Sequence, residues 1–399
     1  MKKITYLLFI LNIFYLTPSY SETFVEGYTV CATDDDGAIL VNDEGGGDLS
    51  SFAYASDPSN FDLVDKGPVG GQEQTIGASC DITPDNYKLK FYKLGFCSEN
   101  PYRTPVNSAS NTVSADLSSC VDIFDKPNGK EVNIRPDEEV NLLEGELILP
   151  LGSYRYMYTI IDNVINIKHT QTFVAAQGAA DFDILGYFPT SENPPQGKGK
   201  ICWTAKDNNG DTIIHTQSFE LAESGGVTTI RDYALPTDYT GSQPFAKVRC
   251  GSAVGTGNAK LDWFVTIINS FGDKMCADDT NCTRDESKFR NAADNVTGFN
   301  PNFPSIAQSY YLLKSDNTLA TDPDDVTRLL WIQDDPDNII DINENTVGLK
   351  LNFKTNNAMT MGIHQDANDD EQLMSVQIWG NTIFGQVQTK TRRARGAWR

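Results

Sequence analysis

The sequence is poor in residues that do chemistry. It holds three histidines in 399 residues, and His169, His215 and His364 lie far apart along the chain. No CxxC pair accompanies them, so the ligand spacing of a zinc site is missing. A GxSxG elbow, a P-loop and an HExxH pair are all absent, which removes the signatures of a hydrolase nucleophile, a nucleotide site and a zinc protease. Acid pairs suited to glycoside hydrolysis carry no information in a chain with 54 Asp and Glu. Basic residues are scarce, 32 Lys and Arg, giving a formal net charge of −22. Such a charge repels nucleic acid and anionic lipid and favours solubility. Beyond the N-terminus no apolar run reaches the roughly 20 residues that span a bilayer.

The N-terminus has the layout of a secretory signal. Lys2 and Lys3 precede an apolar run over residues 4–16, and Ser19 and Ser21 offer small residues before a cut after Ser21. No Cys follows the run to carry a lipid. The expectation is an exported protein of the cell surface, periplasm or extracellular space, with no transmembrane segment after signal cleavage at 1–21. All eight cysteines lie beyond that cut, and an even count in an exported chain argues for disulfides. Order along the chain favours Cys31–Cys80, Cys97–Cys120, Cys202–Cys250 and Cys276–Cys282.

What is present is β material: Tyr, Phe, Val and Ile in short runs between loops rich in Asn, Asp, Gly and Thr. The fold class expected is all-β, loop-rich, with two β-sandwich-like domains and disulfides. Residues 22–84 lack the apolar runs for a core and read as an arm, stapled by Cys31 and Cys80, packing on the first domain at 85–175. There Tyr87, Leu89 and Phe91 share a face, and Tyr92, Leu94 and Phe96 continue one step out of phase, as a β-bulge requires. Asn128-Gly129 predicts a hairpin between strands at 120–124 and 131–134, and Asp162-Asn163 a second between 154–161 and 164–170. A connection at 176–198 leads to a second β-rich domain at 199–391. Its best strand, 260–269, places Leu261, Trp263, Val265 and Ile267 on one face, with Trp263 and Trp331 expected in the core. A basic tail at 392–399 closes the chain.

The runs YKLKFYKL (87–94), SSCVDIF (118–124), GKEVNI (129–134) and LPLGSY (149–154) together resemble a group of exported marine-bacterial proteins of unknown function. More loosely, the LPxGxY turn is similar to the closing strand of transthyretin-like (prealbumin-like) sandwich modules, often carbohydrate-binding or structural parts of surface proteins. The resemblance covers about a quarter of the chain. It implies a fold and no catalytic residues.

Candidate ligand sites are few. Asp366, Asn368 and Asp370 place oxygen at positions 1, 3 and 5 of a loop, as calcium requires, and Asp207, Asn209 and Asp211 repeat the spacing. Both lack the Gly and Glu of an EF-hand loop, and the second is fully explained as an Asn-Gly hairpin. The Asp322–Asp325 and Asp334–Asp337 clusters read as solvated turns. Tyr154, Tyr156 and Tyr158 alternate along one strand and could stack on sugar rings, or pack across strands inside a sandwich. Arg392, Arg393, Arg395 and Arg399 could pair with acids on their own surface or dock on an acidic neighbour in an assembly. The function expected is a non-catalytic structural or assembly protein, with protein partners or self-association, no nucleic acid, and no cofactor unless calcium. The alternatives are a carbohydrate-binding surface protein and, third, a secreted hydrolase.

Overall fold

The computed structural model describes residues 30–42, 51–52, 79–103, 114–136, 138, 140, 142, 150–175, 183–185, 198–206, 210–224, 227–232, 248–255, 260–270, 291–297, 305–365, 373–380 and 383–391. These residues form strands joined by loops and one short 3-10 turn, Leu117–Ser119. In chain order the first strands are β1 (Ile39–Asn42), β2 (Ser51–Phe52), β3 (Ser79–Ile82), β4 (Asn86–Cys97), β5 (Cys120–Ile134) and β6 (Gly152–Tyr154). Next come β7 (Tyr156–Asp162), β8 (Val164–Lys168), β9 (Thr170–Ala175), β10 (Asp183–Leu185), β11 (Lys198–Gly199) and β12 (Ile201–Trp203). Then follow β13 (Ile214–Ser224), β14 (Val227–Asp232), β15 (Arg249–Gly251), β16 (Phe264–Ser270), β17 (Ala292–Thr297) and β18 (Ala307–Leu313). The last are β19 (Arg328–Asp334), β20 (Ile340–Ile342), β21 (Thr346–Lys354), β22 (Met359–Gln365), β23 (Leu373–Gly380) and β24 (Phe384–Thr391). The all-β class follows, with disulfides.

The largest sheet runs β14-β13-β16-β8-β4-β7-β19-β18-β17, with β5 on the other edge of β4. It overturns the expected division at 176–198, because strands from 85–175 and from 199–391 hydrogen-bond within it. The apolar alternation of each region fits a single sheet equally well, and nothing local to either region records which partner strand it finds.

Both expected hairpins are overturned as well. β7 and β8 do not reverse at Asp162-Asn163. Each runs antiparallel to β4, Phe91 opposite Ile161 and Lys88 opposite Asn166, so they form one line interrupted at Asn163. The outer partner changes there, from β19 along β7 to β16 along β8. Buried Asn163 closes the split, its amide donating to the carbonyls of Ile268 (3.1 Å) and Val326 (3.2 Å). Likewise β5 continues past Asn128-Gly129. Its pairing jumps from Asp125 opposite Lys93 to Lys130 opposite Phe91, leaving 126–129 as a bulge, with Gly129 at φ 69°. The Asn-Gly pair served the positive φ, and the bulge used it without turning the chain. The bulge expected at Phe91–Tyr92 is present, as a register shift against both β5 and β7.

The inner face of this sheet is the core. Phe91, Leu94, Phe96, Ile161, Leu329 and Trp331 are all buried there. The β21–β24 pair covers one part of it, with the Phe353 ring 4.9 Å from Phe91 and 6.3 Å from Trp331. Each such side chain contributes about 1.5–3 kcal/mol by leaving water. Gln333 reaches from β19 to bond both backbone groups of Gly385, at 2.8 and 3.0 Å, and Gln308 donates to the Ile383 carbonyl. The β22–β23 ladder lies over the other part, where a Cβ on Gly380 would meet Ile165, Ile167 and Tyr87.

Three disulfides form, Cys97–Cys120 and Cys202–Cys250 between paired strands and Cys31–Cys80 between β3 and the segment before β1. Cys276 and Cys282 lie outside the described residues. The N-terminal arm touches more than the expected first domain. β1 runs parallel to β9, while β3 pairs with β22 near the end of the chain. No helix among the described residues is long and apolar enough to cross a membrane.

Candidate functional site

The features that could meet a ligand gather on the opposite, outer face of the large sheet, and the pleat explains why. Tyr87, Leu89 and Phe91 point into the core, so Lys88 and Lys90 must point out. Ile165 and Ile167 point in, so Asn166 and Lys168 point out. On β16 the buried side is Phe264, Thr266 and Ile268, which corrects the expected orientation of this strand. Of the expected face only Val265 is buried, Trp263 and Ile267 are part-buried on the outer side, and Leu261 is exposed; Trp331 is in the core as expected. The sequence alternated apolar residues on one face of 260–269, but Phe264 and Ile268 on the other face carry the burial.

Trp263 has two cations against its ring. The ammonium groups of Lys88 and Lys168 each lie 4.8 Å from its centroid. Farther along β4, the bulged Tyr92 is flanked in the same way, by Lys90 at 5.3 Å and by the Arg328 guanidinium at 3.9 Å. Arg328 is held by Asn317 at 2.6 Å, and the Tyr92 hydroxyl donates to Asp162 at 3.3 Å. Burial pushes the Asp162 carboxyl above its ordinary pKa, although Lys90 and Arg328 pull the other way.

Beyond Tyr92 the face becomes apolar. A groove of about 240 Å³ has Ile160, Leu330 and Tyr311 in its lining, with Lys93 and Asn317 among the polar residues there. Lys93 is 2.9 Å from both Asp122 and Asp125. Burial alone would lower its pKa, but the two carboxylates outweigh that and hold it above the usual lysine value. Tyr158 lies fully buried beside this trio and donates to Asp122; burial first, then that bond, push its phenol up.

The expected site residues are dispersed. Tyr154 and Tyr158 are 6% and 0% exposed, so the three tyrosines make no open stacking stripe. Tyr154 belongs to the separate strand β6, donates to the Pro150 carbonyl at 3.1 Å and packs in the core near Phe96. Tyr156 alone is part-exposed, with Arg155 near its ring. Asp366, Asn368 and Asp370 lie outside the described residues, as do Asp207, Asn209, Arg392, Arg393, Arg395 and Arg399. The acid turns are locally bonded: Asp325 accepts from Thr321 and pairs with Lys314 at 2.7 Å, and Asp334 takes a two-pronged bond from Arg155 at 2.6 and 2.8 Å. His169 is buried, with Gln171 3.1 Å from Nε2 and Asp85 3.5 Å from Nδ1. Gln171 gives its amide hydrogens to the carbonyls of Gly37 and Thr172, which turns its oxygen to His169 and requires a hydrogen on Nε2. Burial would raise the Asp85 pKa, but the histidine outweighs it.

Sequence reading missed the cation–aromatic clusters. The signal was the pair Lys88 and Lys90, set between inward aromatic and aliphatic residues on one strand of an acidic chain. No protein-family model, no curated protein and no solved structure matches this chain.

Proposed function

We propose that the protein is an exported, non-catalytic structural component of a cell surface or extracellular assembly, built of β-sandwich material. The observation that carries this reading is the use made of buried amides. Asn163, Gln171, Gln308 and Gln333 all spend their side chains on backbone groups of other segments. The Gln308 and Gln333 bonds hold the start of β24 against the large sheet, and those of Asn163 and Gln171 tie neighbouring segments, since a slip would leave buried carbonyls without donors. Three disulfides tie other segments, Cys31–Cys80, Cys97–Cys120 and Cys202–Cys250, and such bonds belong to oxidising compartments. The likeness of the LPxGxY turn to transthyretin-like modules forms part of the same reading.

Multi-angle light scattering of the exported protein and of a variant lacking 392–399 tests it. An assembled species at physiological salt that dissociates on deletion, and partly in high salt, is expected. Monomer in both forms at all concentrations would overturn the assembly role, and turnover of glycoside or peptide substrates the non-catalytic one. A second reading, a carbohydrate-binding surface protein, is favoured by the cations set around Trp263 and Tyr92.

A further inference from the structure

We propose that the outer face of the central sheet between Trp263 and Tyr92 binds an acidic polysaccharide, whose carboxylate or sulfate groups are taken by Lys88, Lys168, Lys90 and Arg328. This rests on the second reading above and narrows it to a ligand class and a surface that excludes the tyrosine stripe.

The first argument is charge complementarity. In a chain of net charge −22, four cations are grouped about two aromatic rings on one sheet face. Lys168 has no carboxylate within ion-pair range among the described residues. Lys88 has only Glu131 at 3.6 Å, whose side chain is 64% exposed. The Lys88 side chain is only 18% exposed, so the pair opens from its solvated Glu131 end, where such contacts are weak and can exchange for an incoming anion. Asp162 is occupied with the Tyr92 hydroxyl and the Val164 amide.

The second argument is geometry. Lys88 and Lys90 are two residues apart on one face of β4, a separation of about 6.7 Å at strand rise. That is comparable to the length of a sugar residue, so the two clusters follow one another as subsites. Exposed Asn133, paired with Lys88 across the ladder, offers its amide to hydroxyl groups, while the amide of Asn166 on the other side donates to the Lys88 carbonyl at 3.5 Å.

The third argument separates glycan from nucleic acid. Duplex DNA carries a charge every ~1.7 Å of axis, far denser than four cations spread over two clusters can match. A polyuronate or sulfated glycan brings about one charge per sugar, on the scale of this spacing.

Affinity electrophoresis of the full exported protein through gels containing alginate, dextran sulfate, neutral dextran, laminarin or single-stranded DNA provides the test. Retardation by alginate or dextran sulfate is expected, and the stronger of the two identifies carboxylate or sulfate as the preferred group. The Lys88→Gln/Lys168→Gln variant should bind about tenfold more weakly at low salt, with an unchanged thermal midpoint as the fold control. Trp263→Ala should weaken binding too, and because it can also perturb folding, the double lysine variant decides. Equal retardation by neutral glycans would overturn the acidic specificity and leave carbohydrate binding standing. No retardation by any glycan would overturn both. Binding that survives the double lysine change would place the site elsewhere, and tighter binding of the DNA would overturn the ligand class.

Discussion

Tyr158 reaches from β7 across β4 and donates its hydroxyl hydrogen to Asp122 on β5. It can do so because Gly95 stands opposite both residues, and a Cβ there would collide with the tyrosine ring and the Val121 carbonyl. The glycine is a gap over which one side chain ties together three strands. Gly95→Ala should therefore cost about 1–3 kcal/mol through overpacking, and Tyr158→Phe about 1 kcal/mol through the lost bond. Denaturant titration checks both. A Gly95→Ala protein as stable as its parent would mean that the ring does not lie there.

Asn163 should be intolerant in a graded way. Asn163→Ala leaves the carbonyls of Ile268 and Val326 without their side-chain donor, for a loss of about 1–3 kcal/mol. Asn163→Asp should be worse than alanine at neutral pH, because a buried carboxylate would then face two carbonyl oxygens. The order of the two midpoints is the measurement, and the reverse order would contradict the clamp.

Asp162 sets a pH dependence of definite sign. Burial raises its folded pKa above the unfolded value of about 3.9. Its contribution is thus full when protonated, below the unfolded pKa, and is lost as pH rises through the folded value. Asp335, also raised by burial, acts in the same direction. Asp162→Asn should be more stable than the parent at pH 7, with the advantage gone at about pH 3. Thermal midpoints across that range would show it, and an advantage that grows on acidification would refute it.

β5 is a long strand paired only with β4 among the described residues, and its bulge carries Lys126 and Pro127. Bulges, lysines and prolines are how exposed edges avoid pairing with other chains. Deleting 126–129 should give a straight edge, and sedimentation should then detect self-association beyond that of the parent protein. An unchanged sedimentation coefficient would mean that the bulge does not guard the edge.

Cys97 and Cys120 are directly opposed on β4 and β5. Replacing both by serine should cost about 3 kcal/mol, the loop-entropy value for a closure of this size. Urea midpoints of oxidised parent and variant measure it.

Much of this was legible in the chain. The all-β class followed from composition, the bulge at Tyr92 from a one-residue phase slip, and three disulfides from cysteine order. The candidate platform was half legible: outward Lys88 and Lys90 follow from inward Tyr87, Leu89 and Phe91. That Trp263 and Lys168 would join them was not, because those residues come from strands far along the sequence.

What the sequence determined by itself is local: which residues alternate, where the phase slips, and where positive φ is allowed. Asn128-Gly129 and Asp162-Asn163 are two places where the line of a strand is interrupted, and the residues announce that much. Whether the chain reverses there or resumes its course was settled by β4, which offers a ladder on both sides of each break. The same holds for the expected boundary at 176–198. A period of two tells a strand which face to bury but carries no record of its neighbour. The neighbour is chosen by burial summed over the whole molecule, and only the tertiary structure contains that sum.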